Sequence, residues 1–119
     1  MRTFRFLDFE VYKLAKQFHK DVIVVTKSFP REYYSLIDQI RRSSLSVSLN
    51  IAEGSAKRTD KDFNKFVEIA LGSTSETVAG LDIALELSLL NQQKFTELTN
   101  LAESIAKQLG GLSKKLRSS

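Results

Sequence analysis

Pro30 is the only proline among 119 residues, and there are just five glycines. Proline removes an amide donor and clashes with the preceding turn, while a glycine inside a helix costs about 1 kcal/mol relative to alanine. A chain this poor in breakers is free to form long helices, and the spacing of its apolar residues decides whether it does. Val11, Ala15, Phe18, Val22 and Val25 recur at intervals of 4, 3, 4 and 3, which is the period of one helix face. Asp8 is the expected N-cap, with Leu7 and Tyr12 placed for a hydrophobic staple, and Ser28-Phe29-Pro30 closes the element. The first helix is therefore expected over about 8–27.

The second helix, expected over about 32–54, carries apolar residues on two faces. At 100° per residue, Ile37, Ile40, Ser44, Val47 and Ile51 fall on one stripe, and Leu45, Leu49 and Ala52 fall on a second, well over 90° away. A surface helix of a small monomer needs only the first. Leu45, Leu49 and Ala52 are accordingly expected to meet another subunit. Between the stripes runs a polar row of Gln39, Arg42, Ser46, Asn50 and Glu53, whose side chains can hydrogen-bond along or across helices. Gly54 suits the C′ position that ends the helix.

Thr59 and Asp62 present a weak capping box for a third helix, expected over about 60–89. Phe63, Val67, Ala70, Thr74, Thr77, Leu81, Ala84 and Ser88 keep the helical period, and the small residues in its middle let neighbouring backbones approach closely. Close packing is the expected compensation for Gly72 and Gly80. In the fourth helix, expected over about 92–116, Phe95, Leu98, Ala102, Ile105, Leu109, Leu112 and Leu116 alternate intervals of 3 and 4. Gly110-Gly111 is expected to interrupt it and fray the last turn. Short connections force antiparallel neighbours, so the expected fold is all-α, an up-down-up-down four-helix bundle forming a single domain over 1–119. No alternating strand pattern or hairpin turn competes.

The chemistry of catalysis is largely absent. The chain has no cysteine and a single histidine, His19, so disulfides, thiolates and the Glu-x-x-His pairs of di-iron bundles are excluded. Asp82 and Glu86, one turn apart, read as solvated or interface-facing rather than as metal ligands. Ser43, Ser44, Ser46 and Ser48 read as small packing residues, since neither a nucleophile elbow nor a Ser/His/Asp set can be assembled. No Walker loop or dinucleotide fingerprint is present. The expectation is a protein that is not an enzyme, with no catalytic residue, no metal and no cofactor. Met1 to Arg5 leads into charged helical sequence without an apolar leader, and no run reaches the roughly 18 residues of a membrane span. A cytoplasmic protein with no membrane partner is expected.

Charge offers the better lead. Net charge is +4, and residues 1–61 hold twelve Lys/Arg against seven Asp/Glu, whereas 62–103 hold two against seven. The tail turns basic again at Lys107, Lys114, Lys115 and Arg117. Arg41 and Arg42 in the second helix, with Lys57, Arg58 and Lys61 around the following connection, are the candidate phosphate contacts. Backbone amides at the start of the third helix would add to the attraction. The same polarity suits docking of basic to acidic surfaces between copies of the chain, so a protein-interaction scaffold that never touches nucleic acid is the alternative.

Gln39-Ile40-Arg41-Arg42, then Asn50-Ile51-Ala52-Glu53-Gly54, Phe63 and Phe66, and Ile69-Ala70-Leu71-Gly72-Ser73 with Glu76, occur in an order that resembles a known family. These residues, with Asp8, Val11, Tyr12, Ala15 and Ser28-Phe29-Pro30, are similar to the four-helix-bundle proteins encoded in intervening sequences of bacterial 23S ribosomal RNA genes. The resemblance implies a ring-like homopentamer. It also implies kinship with the accessory variability proteins of diversity-generating retroelements, basic pentamers that bind nucleic acid and a reverse transcriptase. RNA or DNA, a protein partner and further copies of the chain are thus the implied partners, and no activity is established for the intervening-sequence proteins themselves. Ser48 stands where members usually have proline, which is expected to straighten the second helix.

Overall fold

The computed structural model describes residues 3–118; Met1 and Arg2 of the opening segment, and Ser119, lie outside the described residues. Four helices account for most of the chain: α1 Glu10–Thr26, α2 Tyr34–Ser55, α3 Asp60–Glu86 and α4 Gln92–Arg117, with short 3-10 turns at Arg5–Asp8 and Arg31–Tyr33. No strand occurs among the described residues. Each helix packs against two others, α1 on α2 and α4, and α3 on α2 and α4. The chain measures 45 × 23 × 20 Å. Among the described residues no helix is long and apolar enough to cross a membrane.

The apolar stripes point inward. Val11, Ala15, Phe18 and Val22 of α1, Ile40, Val47 and Ile51 of α2, Val67, Ala70, Leu81 and Ala84 of α3, and Leu98, Ala102, Ile105 and Leu109 of α4 share one core. Two caps fix helix starts as the sequence suggests: Thr59 Oγ1 accepts from the Asp62 amide at 3.1 Å, and Asn91 accepts from the Lys94 amide at 2.8 Å.

Several local expectations need correction. Asp8 is not the N-cap of α1; it belongs to the 3-10 turn, and the cap is Phe9, which offers no side-chain acceptor. The cause is a distant anchor: Arg5 donates from Nε and Nη2 to the Ser55 carbonyl at 3.1 and 2.9 Å, binding this turn to the end of α2. Phe6 rather than Leu7 packs on Tyr12, ring centroids 4.9 Å apart. Gly54 lies within α2, not beyond it. A Cβ there would stand 2.8 Å from Phe66 Cβ and 2.9 Å from Phe63 Cδ1, so its role is to let α3 approach.

α3 ends at Glu86, short of the expected boundary, because Ser88 adopts a left-handed φ of 60°. The Leu89 amide then bonds to the Ala84 carbonyl at 2.9 Å and the Ser88 amide to the Leu85 carbonyl at 3.0 Å, a Schellman closure without glycine. Gly110 and Gly111 do not interrupt α4, which continues to Arg117 with the apolar spacing of Leu109, Leu112 and Leu116 intact. α2 likewise runs unbroken through Ser48, whose hydroxyl bonds back to the Leu45 carbonyl at 3.1 Å. Gly80 behaves as expected, since a Cβ there would sit 2.6 Å from Ile40 Cγ1; Gly72 does not, having nothing near it.

Candidate nucleic-acid interface

The five candidate phosphate-binding residues fall into two groups at different levels of α2. Arg41 and Lys57 are separated by 16 residues, about 24 Å at the rise of an α-helix. Arg41 is half-buried, and its Nε donates to Thr26 Oγ1 at 2.9 Å, tying α2 to the end of α1. It lines a cleft with Lys27, Arg31 and the exposed Tyr34. Arg42 points to solvent and pairs with Asp38, one turn back on its own helix, at 3.0 Å. Such an exposed pair contributes at most about 1 kcal/mol and leaves the guanidinium open to competition.

Lys57, Arg58 and Lys61 stand together where α2 passes into α3, all exposed. Lys57 Nζ lies 4.9 Å from the centroid of the Phe66 ring, a cation–π contact that positions the ammonium over α3. The amides of the α3 terminus are a poor anion site. Thr59 already accepts from one of them, and Asp60 and Asp62 fill the first turn with carboxylates. Phosphate attraction at this end therefore rests on side chains.

Folding adds residues that were not singled out as site residues. The end of α4 lies beside the start of α3, so Lys61 and Arg117 line one cleft of about 450 Å³. Arg5 and Lys115 line an adjoining one of about 250 Å³ with Asp60. The signal was present in the sequence: antiparallel order of α3 and α4 places residues near 115 opposite residues near 61. Arg5 carries no such signal, and its guanidinium is occupied by the Ser55 carbonyl and flanked by the Phe9 and Phe63 rings at 5.7 and 5.5 Å.

The second stripe of α2 is open. Leu45 and Leu49 are 41% and 55% exposed, and Ala52 is half-buried. The polar row beside it faces α3: Gln39 donates to Glu76, Ser46 and Ser73 hydroxyls meet at 2.8 Å, and Asn50 Nδ2 donates to the Ser46 carbonyl and Oγ, each at 2.9 Å. Ile69, 49% exposed, lies one turn from Ser73 on α3, as Leu49 lies one turn from Ser46 on α2.

His19 is half-buried between α1 and α2. Ser44 Oγ donates to the Arg41 carbonyl at 3.1 Å, so it accepts from His19 Nδ1–H, 2.6 Å away. Burial first, and the Arg41 charge second, hold the imidazole pKa below its ordinary 6.5. Asp82 and Glu86 are exposed. Among the described residues no group of three His, Cys, Asp or Glu side chains is placed to hold a metal.

These features define an all-α protein of four helices with a basic end and an uncovered apolar face. The sequence pattern of the family described as 23S rRNA-intervening sequence protein matches residues 7–111, and the chain belongs to that family. Among solved structures, a protein of unknown function from the S23 ribosomal protein family of Bacteroides thetaiotaomicron is similar, with a TM-score of 0.83 and 23% identity. That likeness covers 87% of this chain and 98% of the other, and it speaks to the fold. No curated protein matches.

Proposed function

We propose that this chain is a non-enzymatic helical subunit that assembles with copies of itself and holds structured RNA or DNA through its basic end. The observation that carries this reading is convergence. Lys57, Arg58 and Lys61 come from one connection and Lys115 and Arg117 from the far end of the sequence, yet the clefts they line adjoin at one end of the helices. An up-down-up-down order is supported by the short connections and by cross-helix contacts that reverse along α2 and α3, from Ser43–Thr77 to Ser46–Ser73.

Phosphate binding by this end releases counterions, so log K falls by about 0.9 per duplex phosphate neutralised as log salt rises. Replacing Lys57, Arg58 and Lys61 together by alanine should flatten the slope by up to that amount per residue. An unchanged slope, or no binding by the parent protein at low salt, sinks the reading.

Assembly, with a homopentamer as the state suggested by resemblance, rests on Leu45, Leu49 and Ala52. Leu49→Asp should dissociate the oligomer in light scattering while far-ultraviolet circular dichroism stays helical. Unfolding of the variant would mean that this face belongs to the monomer core.

A further inference from the structure

The cleft between the start of α3 and the end of α4 contains a group that phosphate binding does not use. Asn64 is 7% exposed, its Nδ2 donates to Glu68 Oε1 at 3.1 Å, and its buried Oδ1 has no hydrogen-bond partner. Turning the amide over would set Oδ1 against the Glu68 carboxylate, so chemistry fixes the orientation. A buried acceptor without a donor is rare in folded proteins because its desolvation is uncompensated. Asn64 and Glu68 both line the cleft of about 450 Å³, as do Lys61, Leu116 and Arg117. Neither Lys61 nor Arg117 has an ion-pair partner among the described residues, whereas Lys65 is held by Asp62 at 3.6 Å. The cleft thus offers two adjacent acceptors, an apolar wall and two available cations.

We infer that this cleft takes an unpaired guanine nucleotide of a nucleic-acid strand, a reading that rests on the nucleic-acid function proposed above. Asn64 Oδ1 and the Glu68 carboxylate accept from the N1–H and the 2-amino group, Leu116 covers the base, and Lys61 and Arg117 meet its phosphate. Guanine alone among the common bases sets two donors side by side on its Watson–Crick edge. Adenine and cytosine set one donor beside an acceptor, and uracil sets one donor between two acceptors. Unpaired bases are the usual targets of sequence-specific recognition in RNA, because their edges are free. A metal ion fits worse, since Lys61, Lys65 and Arg117 ring the same space. The covering wall is the last turn of α4, whose carbonyls have no partner further along the helix, so its displacement opens the way to Oδ1.

The test is fluorescence anisotropy with labelled oligouridine strands carrying one central guanosine, inosine or adenosine at fixed salt. The guanosine strand should bind about tenfold or more tighter than the adenosine strand, with inosine, which lacks the 2-amino group, between them. Asn64→Leu should erase this preference while its melting temperature holds or rises, because an orphaned acceptor has been removed. Equal binding of the three strands overturns the guanine site and leaves phosphate binding standing. Duplex binding without any single-strand binding does the same, and failure of every strand and duplex at low salt removes both readings. A guanine preference that survives Asn64→Leu overturns the assignment to this cleft. The strand comparison on the unaltered protein decides the matter even where the variant does not fold.

Discussion

The buried faces of α1 and α4 differ in kind from those of α2 and α3. On α1 and α4 the buried residues are apolar except for Thr26 and Ser113, with Phe18, Val22, Ile105 and Leu109 fully enclosed. On α2 and α3 they include Ser43, Ser44, Ser48, Ser55, Asn64, Ser73, Thr74 and Thr77. Most of these hydroxyls bond back to their own helix, as Thr74 does to the Ala70 carbonyl and Thr77 to the Ser73 carbonyl, both at 2.8 Å. Small side chains satisfied in this way let α2 and α3 approach at Gly80 and Gly54. One side of the molecule is thus held by apolar volume. The other is held by close approach, with Ser43–Thr77 and Ser46–Ser73 setting the register.

That contrast can be broken. Phe18→Ala should cost about 3–5 kcal/mol, the loss expected for a fully buried aromatic ring. Thr77→Val, which keeps volume and removes the hydroxyl that meets Ser43 Oγ at 2.7 Å, should cost about 1–2 kcal/mol. Urea unfolding measures both, and equal costs would erase the distinction between the two sides.

Glycines probe it next. Gly80→Ala forces a methyl into Ile40, so overpacking of about 1–3 kcal/mol should outweigh the gain of up to about 1 kcal/mol in helix propensity. Gly110→Ala meets nothing within 4 Å and should stabilise by up to about 1 kcal/mol. Thermal melts of the pair should therefore move in opposite directions; a shared direction would mean that approach of α2 and α3 is not limited by Gly80.

The smallest effect is expected at His19, where α1 meets the polar side of α2. Its folded pKa lies below 6.5, so the unfolded chain binds the proton more readily. The associated stability is complete above about pH 6.5 and falls as pH drops through that value toward the folded pKa. His19→Gln should lessen the difference between unfolding midpoints at about pH 7.5 and 5.5. An unaltered difference would place the acid sensitivity elsewhere.

Much of the helix pattern was legible because apolar spacing is a local property. Helices α3 and α4 start at Asp60 and Gln92, as expected from the caps Thr59 and Asn91. The α1 start was not legible, because Arg5 is held by Ser55, 50 residues away. Likewise Gly54 resembles a helix terminator until Phe63 and Phe66 are seen against it, and Ser88 carries no sign of its left-handed conformation. Of the candidate site, the clustering of Lys57, Arg58 and Lys61 was readable from proximity in sequence. The burial of Arg41 against Thr26 was not, nor was the partnerless oxygen of Asn64, since both depend on which helix lies alongside.

By itself the sequence determined the all-α class, the four helical segments, the inward stripes and the exposed second face of α2. Each follows from periodicity and from the scarcity of breakers, which act within a few turns. Only tertiary structure decided that Gln39 meets Glu76, that Gly54 and Gly80 serve close approach, and that the two basic stretches end at adjoining clefts. Those outcomes depend on the relative placement of helices, set by side chains far apart in the chain packing into one shared core.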